Sequence, residues 1–107
     1  MTKLADLACS PCRGDVPALR LEDLDEYAIH VPDWEIVDRH HLSRTFRFPD
    51  FVSALEFVNR VGELAEHENH HPGIFLTWGK VKIDTWTHKV DGLSENDFIL
   101  AAKIDKL

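Results

Sequence analysis

The sequence predicts an α+β protein in which helices cover one face of an antiparallel sheet. Between residues 51 and 65, apolar side chains recur at spacings of three and four, which is typical of an amphipathic helix. Shorter segments on either side of this helix are joined by tight turns, so they are predicted to be antiparallel strands. One of them alternates apolar and polar residues, which indicates a strand with one face on the core and the other open.

The first half of the chain is predicted to form one helix and a β-hairpin. The helix covers residues 17–29 and ends before Pro32, because proline stops a helix. Strands follow at residues 34–37 and 40–48, and the short link at Asp38-Arg39 favours a hairpin. The predicted inward-facing residues of these elements are Leu21, Leu24 and Ala28, with Leu19 and Tyr27 nearby, and then Leu42, Phe46 and Phe48.

The second half is predicted to contain the longest helix, a second hairpin and a final helix. Asp50 is the expected N-cap of a helix that runs to about Glu68. Strands at 74–78 and 80–88 are separated by Gly79, and Ser94 and Asp97 form a capping box that begins the last helix. The order is therefore α-β-β-α-β-β-α. The predicted core stripe of the long helix is Phe51, Leu55, Val58, Gly62 and Ala65, widened by Ala54, Val61 and Leu64.

Length and charge limit the classes of protein to consider. The 107 residues are enough for one domain, which we place at residues 17–107, after an N-terminal arm at 1–16. The net charge of −7 argues against direct binding to nucleic acid or to an anionic membrane, since both need a basic surface. No apolar run approaches the length of a membrane span, and Asp6 interrupts any signal sequence. The expected location is the cytoplasm.

The two cysteines, Cys9 and Cys12, form one Cys-x-x-Cys in the arm. Half of a zinc site and a redox pair are the functional alternatives. A four-thiolate site would need a second pair, and the chain has only two cysteines. We favour a pair of reduced thiols on the arm.

Histidines indicate where the chemistry lies. The chain has seven histidines, and four of them are clustered between residues 67 and 88: His67, His70, His71 and His88. His67-Glu68-x-x-His71 matches the H-E-x-x-H pattern of zinc hydrolases, in which two histidines one helical turn apart bind the metal. Pro72 weakens this interpretation, because a residue before proline is pushed out of the helical conformation.

Acid–base catalysis without a metal is the alternative interpretation. Pairing of the last two predicted strands about Gly79 brings His70 and His71 towards His88. Imidazoles donate and accept protons near neutral pH, and Glu66, one helical turn before His70, is placed to orient one of them. Three such groups suit the elimination of water from an activated carbon.

These residues resemble the pterin-4a-carbinolamine dehydratase family. The resemblance rests on Glu66-x-x-x-His70-His71-Pro72, Trp78-Gly79-Lys80-Val81, Thr87-His88 and Gly92-Leu93-Ser94-x-x-Asp97, and it covers roughly residues 17–105. It implies a four-stranded antiparallel sheet with helices on one face. It also implies a hydro-lyase that dehydrates 4a-hydroxytetrahydropterin to quinonoid dihydropterin, and so returns the pterin to aromatic amino-acid hydroxylases.

The resemblance also assigns residues and partners. It implies that His70, His71 and His88 are catalytic, that Glu66 and Asp97 support them, and that no metal or organic cofactor is needed, since the pterin is the substrate. Asp97 has a structural alternative as the cap of the last helix. We place Thr87 and Trp86 beside the site, although for Trp86 a subunit contact is the favoured alternative.

The sequence does not decide the oligomeric state of the protein or whether it has a non-catalytic role in binding a protein partner. A sheet with one uncovered face and an exposed tryptophan favours a homodimer or homotetramer. The resemblance also leaves a non-catalytic alternative, a dimeric binding module that acts on a protein partner as a coactivator or assembly factor.

Overall fold

The computed structural model describes residues 18–107, which fold into three helices and four strands in the predicted order. The arm with Cys9 and Cys12 lies outside these residues, and the division between arm and domain stays a prediction. No helix in residues 18–107 has the length and apolar character needed to span a bilayer. The elements are α1 (Leu21–Ala28), β1 (Glu35–Val37), β2 (His41–Arg47), α2 (Phe51–Glu68), β3 (Gly73–Thr77), β4 (Lys80–Thr85) and α3 (Glu95–Ile104), with a 3₁₀ turn at His88–Val90.

The four strands form one antiparallel sheet in the order β1-β2-β4-β3. Strand β4 is central: its residues Val81, Ile83 and Thr85 are fully buried, whereas Lys82 on the opposite face is exposed. The predicted fold class is thereby confirmed. The core between this face and the helices is built from Leu42, Val81 and Ile83 of the sheet, Ala54, Phe57 and Val61 of α2, and Phe98, Ile99 and Leu100 of α3.

Both hairpins turn where the sequence predicted. Asp38 and Arg39 adopt left-handed backbone angles between β1 and β2. Gly79 has φ +68, and a Cβ there would lie 3.0 Å from the carbonyl oxygen of Phe48. That carbonyl belongs to the residue whose N–H donates to the Gly79 carbonyl at 2.9 Å, so β2 packs tightly against this turn. Only glycine meets both requirements without strain.

The predicted core stripe of α2 was wrong at its N-terminal end. Phe51 and Leu55 are 41% and 40% exposed, whereas Phe57, absent from the predicted stripe, is buried. The apolar face of α2 is wider than the area that packs against the sheet. The sheet contacts the side of the helix centred on Ala54, Phe57 and Val61. In α1, likewise, only part of the apolar face packs against the core, so Leu21 is exposed and Leu24 is buried.

The predicted last strand, 80–88, ends early, at Thr85. Beyond it the backbone of Thr87 pairs with Gly92 in an isolated bridge, and the residues between them form a 3₁₀ turn. His88 therefore begins this turn rather than ending a strand. Thr85, Trp86 and Thr87 are β-branched or aromatic residues of the kind enriched in strands, which is why the sequence alone extended the strand too far.

Candidate active site

The end of α2 sends two neighbouring histidines in different directions. Asn69 takes the left-handed conformation with φ 54, and its N–H donates to the carbonyls of Ala65 and Glu66. Asparagine tolerates this conformation at the position after a helix. The N–H of His70 also donates to Ala65, at 3.1 Å, so the chain wraps around the helix end. As a result His70 is 5% exposed, whereas the side chain of His71 is 55% exposed.

The carboxylate of Asp97 is the centre of a buried hydrogen-bond network. Its Oδ1 accepts from Nε2 of His70 at 2.7 Å and from the hydroxyl of Thr85 at 2.8 Å. Its Oδ2 accepts from the hydroxyl of Thr87 at 2.8 Å and from the N–H of Ser94 at 3.0 Å. The Asp97 side chain is fully buried, and four donors occupy the four acceptor positions of an ionised carboxylate.

This network fixes the protons of its members. Because an ionised carboxylate only accepts hydrogen bonds, His70 carries a proton on Nε2 and donates it to Asp97. The hydroxyl of Thr87 donates to Asp97, so the hydroxyl of Ser94, 2.6 Å away, donates to Thr87. The His70 ring thus has one tautomer and one orientation when neutral, with Nδ1 as the acceptor.

Asp97 unites the two roles that the sequence left as alternatives. It caps α3 through the N–H of Ser94, as the capping-box interpretation requires. The same carboxylate holds His70, which lies 27 residues earlier in the chain. Its direct involvement in catalysis stays a prediction.

His71 and Glu66 form a second histidine–carboxylate pair, on the surface. Nε2 of His71 is hydrogen-bonded to Oε2 of Glu66 across the end of α2. The Glu66 side chain is 78% exposed, so solvent reaches this pair, in contrast to the pair of His70 and Asp97. His71 is therefore oriented by a carboxylate and open to a ligand.

His88 lies on the exposed side of the loop that follows β4. Its ring packs against the indole of Trp86, with the ring centroids 4.8 Å apart. The hairpin pairs Gly73 with Asp84, which brings the segment before β3 beside the segment after β4, as predicted. Asp97 links the two segments directly, because it accepts hydrogen bonds from both His70 and Thr87, the residue before His88.

The helical geometry of the H-E-x-x-H pattern is absent. His67 lies in α2 and is 82% exposed, whereas His71 follows the left-handed cap and points elsewhere. Among residues 18–107, no three His, Cys, Asp or Glu side chains are arranged so that they could hold a metal ion.

Two sets of residues beside the site were not predicted from the sequence. Thr85 donates to Asp97 from the core face of β4, where a small polar residue gives no pattern of its own. His40 and His41 flank Trp86, with ring centroids 5.5 and 6.0 Å from the indole. The high histidine count was the available signal, but only the pairing of β2 with β4 brings His40 and His41 to Trp86.

The fold is that of an α+β protein in which imidazoles and carboxylates meet beside the end of the central strand. The model of the family described as pterin 4 alpha carbinolamine dehydratase matches residues 17–107. The chain belongs to this family, which confirms the resemblance and the predicted enzyme class, a dehydratase or hydro-lyase.

Similar proteins agree with this assignment. A protein of Rubrobacter xylanophilus, provisionally named a pterin-4-alpha-carbinolamine dehydratase, is 56% identical over the full length of both chains. A relative from Alkaliphilus metalliredigens with the same provisional name is 47% identical, over 99% of this chain and 96% of its own. A crystal structure described as a transcriptional coactivator/pterin dehydratase from Brucella melitensis is similar with a TM-score of 0.79 and 30% identity, over 84% of this chain and 97% of its own.

Proposed function

We propose that this protein dehydrates 4a-hydroxytetrahydropterin to quinonoid dihydropterin by acid–base catalysis at a site formed by His70, His71 and His88. In this reaction the bond between C4a and the hydroxyl oxygen breaks, and the oxygen leaves as water after taking a proton. The ring nitrogen beside C4a loses its proton as the new double bond forms. One donor and one acceptor of protons are therefore sufficient, and a pair of imidazoles supplies both.

The observation that carries this proposal is the contrast between the two adjacent histidines. Nε2 of His70 is committed to Asp97 in a buried network, so this ring is fixed in place. His71 and His88 are exposed, and each has a neighbour that orients it, Glu66 and Trp86. We assign proton exchange with the pterin to His71 and His88, and orientation within the site to His70.

Turnover by protein stripped of metal ions is the direct test. The substrate is generated in situ, and formation of quinonoid dihydropterin is followed with and without added zinc. Wild-type protein should accelerate the reaction without metal, and His71→Ala and His88→Ala should each lose roughly 10²–10⁴-fold. Acceleration by wild-type protein only in the presence of zinc, with the same losses in the two variants, would contradict the proposal.

The matched control is His67→Ala, which removes an exposed histidine of the same segment. The dehydratase proposal expects full activity from this variant. A zinc hydrolase built on the H-E-x-x-H pattern would lose its activity instead. If wild-type protein gave no acceleration under any condition, the binding-module alternative would replace the enzyme, and the search would turn to a protein partner.

The oligomeric state and the physiological role extend the proposal. Strand β3 lies at the edge of the sheet, and several apolar side chains are exposed there: Ile74, Phe75 and Trp78. Exposed apolar groups on an unpaired strand favour association with a second copy. We propose a homodimer or homotetramer, which light scattering after gel filtration would reveal, and a role in returning the pterin to aromatic amino-acid hydroxylases in the cytoplasm.

A further inference from the structure

A cluster of aromatic rings on the open face of the sheet surrounds Trp86. His40, in the turn before β2, and His41, the first residue of β2, lie near the indole, with ring centroids at 5.5 and 6.0 Å. His88 packs against it at 4.8 Å. Trp86 is therefore in contact both with the turn between β1 and β2 and with the loop that carries His88.

His40, in the turn before β2, and His41, the first residue of β2, are held by a chain of hydrogen bonds. Nε2 of His40 donates to Oδ1 of Asp91 at 2.9 Å, and Nδ1 of His40 lies 3.2 Å from Nδ1 of His41. With Nε2 committed as a donor, Nδ1 of a neutral His40 accepts, so His41 donates. The order Asp91–His40–His41 therefore fixes the orientation of both rings.

Asp91 also belongs to the loop that carries His88. It follows the 3₁₀ turn in a left-handed conformation, φ 47, and its N–H donates to the carbonyl of His88 at 3.2 Å. Thr87, at the other end of the turn, bonds to the buried Asp97. The loop is thus anchored from inside the protein at Thr87 and from outside at Asp91.

We infer that Trp86, braced by the Asp91–His40–His41 chain, positions the imidazole of His88 for the dehydration. The bridge between Thr87 and Gly92 fixes the backbone at His88, but the exposed side chain has Trp86 as its packing surface. This inference rests on the proposed function, in which His88 exchanges a proton with the pterin. Trp86, His40 and Asp91 are positioning residues and act through His88.

The first experiment measures the His88 ring itself by NMR, with its signals assigned by their loss in His88→Gln. Wild-type His88 should show the ring-current shifts of a proton held beside an indole. Trp86→Leu should abolish these shifts, and His40→Ala and Asp91→Gly should reduce them. Glycine is chosen at position 91 because it accepts the left-handed backbone while removing the carboxylate.

The second experiment separates kcat from KM in the same variants. A misplaced catalytic group costs up to ~100-fold, so Trp86→Leu should lower kcat about tenfold with KM nearly unchanged. His40→Ala and Asp91→Gly should lower kcat in the same way but less. Trp86→Phe and Asp91→Asn should retain most of the wild-type kcat, since they keep the aromatic surface and the acceptor oxygen, respectively.

The controls are His30→Ala and Asp25→Asn, which change an exposed histidine and an exposed carboxylate at α1. Neither should move the His88 signals or kcat. Unchanged His88 signals in Trp86→Leu would overturn the inference, and so would a change in KM alone, because Trp86 would then contact the substrate directly. Wild-type protein without dehydratase activity would refute the proposed function, while the His88 shifts in His40→Ala and Asp91→Gly, which keep the indole, would still decide whether the braced Trp86 positions His88.

Discussion

His70 and His71 are neighbours in the chain, and each is paired with a carboxylate, yet the two pairs are built differently. The pair of His70 and Asp97 is buried, with exposures of 5% and 0%, and every acceptor position of the carboxylate is occupied. The pair of His71 and Glu66 is exposed, at 55% and 78%. The same two functional groups therefore make a buried, fully hydrogen-bonded pair in one case and a solvent-accessible pair in the other.

The difference in burial indicates which pair stabilises the fold. Breaking a buried pair leaves polar groups without partners in a medium that cannot solvate them. An exposed pair is replaced by water and contributes about 0–1 kcal/mol. The buried pair should therefore control folding, and the exposed pair should control turnover.

The largest expected effect is that of Asp97→Ala. It leaves His70, Thr85 and Thr87 without their acceptor and removes the cap of α3. We expect the free energy of unfolding to fall by roughly 3–5 kcal/mol, measured by urea titration.

The matched control is Asp50→Ala, which removes the exposed cap of α2, where the carboxylate accepts from the N–H of Ser53 at 2.8 Å. This hydrogen bond lowers the pKa of Asp50, so its contribution to stability is present above pH 3.8 and disappears as the pH falls further. The control should cost much less than Asp97→Ala. Equal losses would show that Asp97 acts only as a helix cap.

Glu66→Ala tests the exposed pair. Stability should change by less than about 0.5 kcal/mol, because both side chains are exposed and no buried group loses a partner. Turnover should fall by about tenfold, since His71 loses the carboxylate that orients it. A large loss of stability with unchanged turnover would reverse the division of roles between the two pairs.

The smallest effect concerns the carboxylate of Glu95, in the first turn of α3. The hydroxyl of Tyr27 donates to Oε2 of Glu95 at 2.6 Å. This hydrogen bond is the main cause, and partial burial the second, of a rise in the pKa of Tyr27 from 10.0 to about 12. Raising the pKa favours the neutral phenol in the folded state, so this contribution is complete below pH 10 and disappears as the pH rises through about 12.

The chain has one tyrosine, so the ultraviolet absorbance of the phenolate reports on Tyr27 alone. Wild-type protein should titrate near pH 12, and Glu95→Ala should titrate closer to pH 10. Unfolding should be monitored by circular dichroism in the same samples. A folded wild-type protein with a midpoint near pH 10 would show that the contact with Glu95 does not persist in solution.

Local signals were enough for the order of elements and for several of their ends. Asp50 caps α2, the chain turns at Gly79, and Ser94 with Asp97 begins α3, each as predicted. These features depend on residues within a few positions of one another, whose conformational preferences act before any long-range contact forms. The sequence also placed His71 beyond the helix, because Pro72 follows it.

Contacts between distant segments were decided only by the tertiary structure. It determined that the sheet covers Phe57 rather than Phe51 and Leu55, because several faces of an apolar helix are equally consistent with its periodicity. It also determined that Asp97 joins Thr85 to His70, and that His40 reaches Asp91 across 51 residues. The sequence by itself determined the order of the elements and predicted which histidines carry the chemistry. Their burial, tautomers and neighbours depend on packing, which no local pattern specifies.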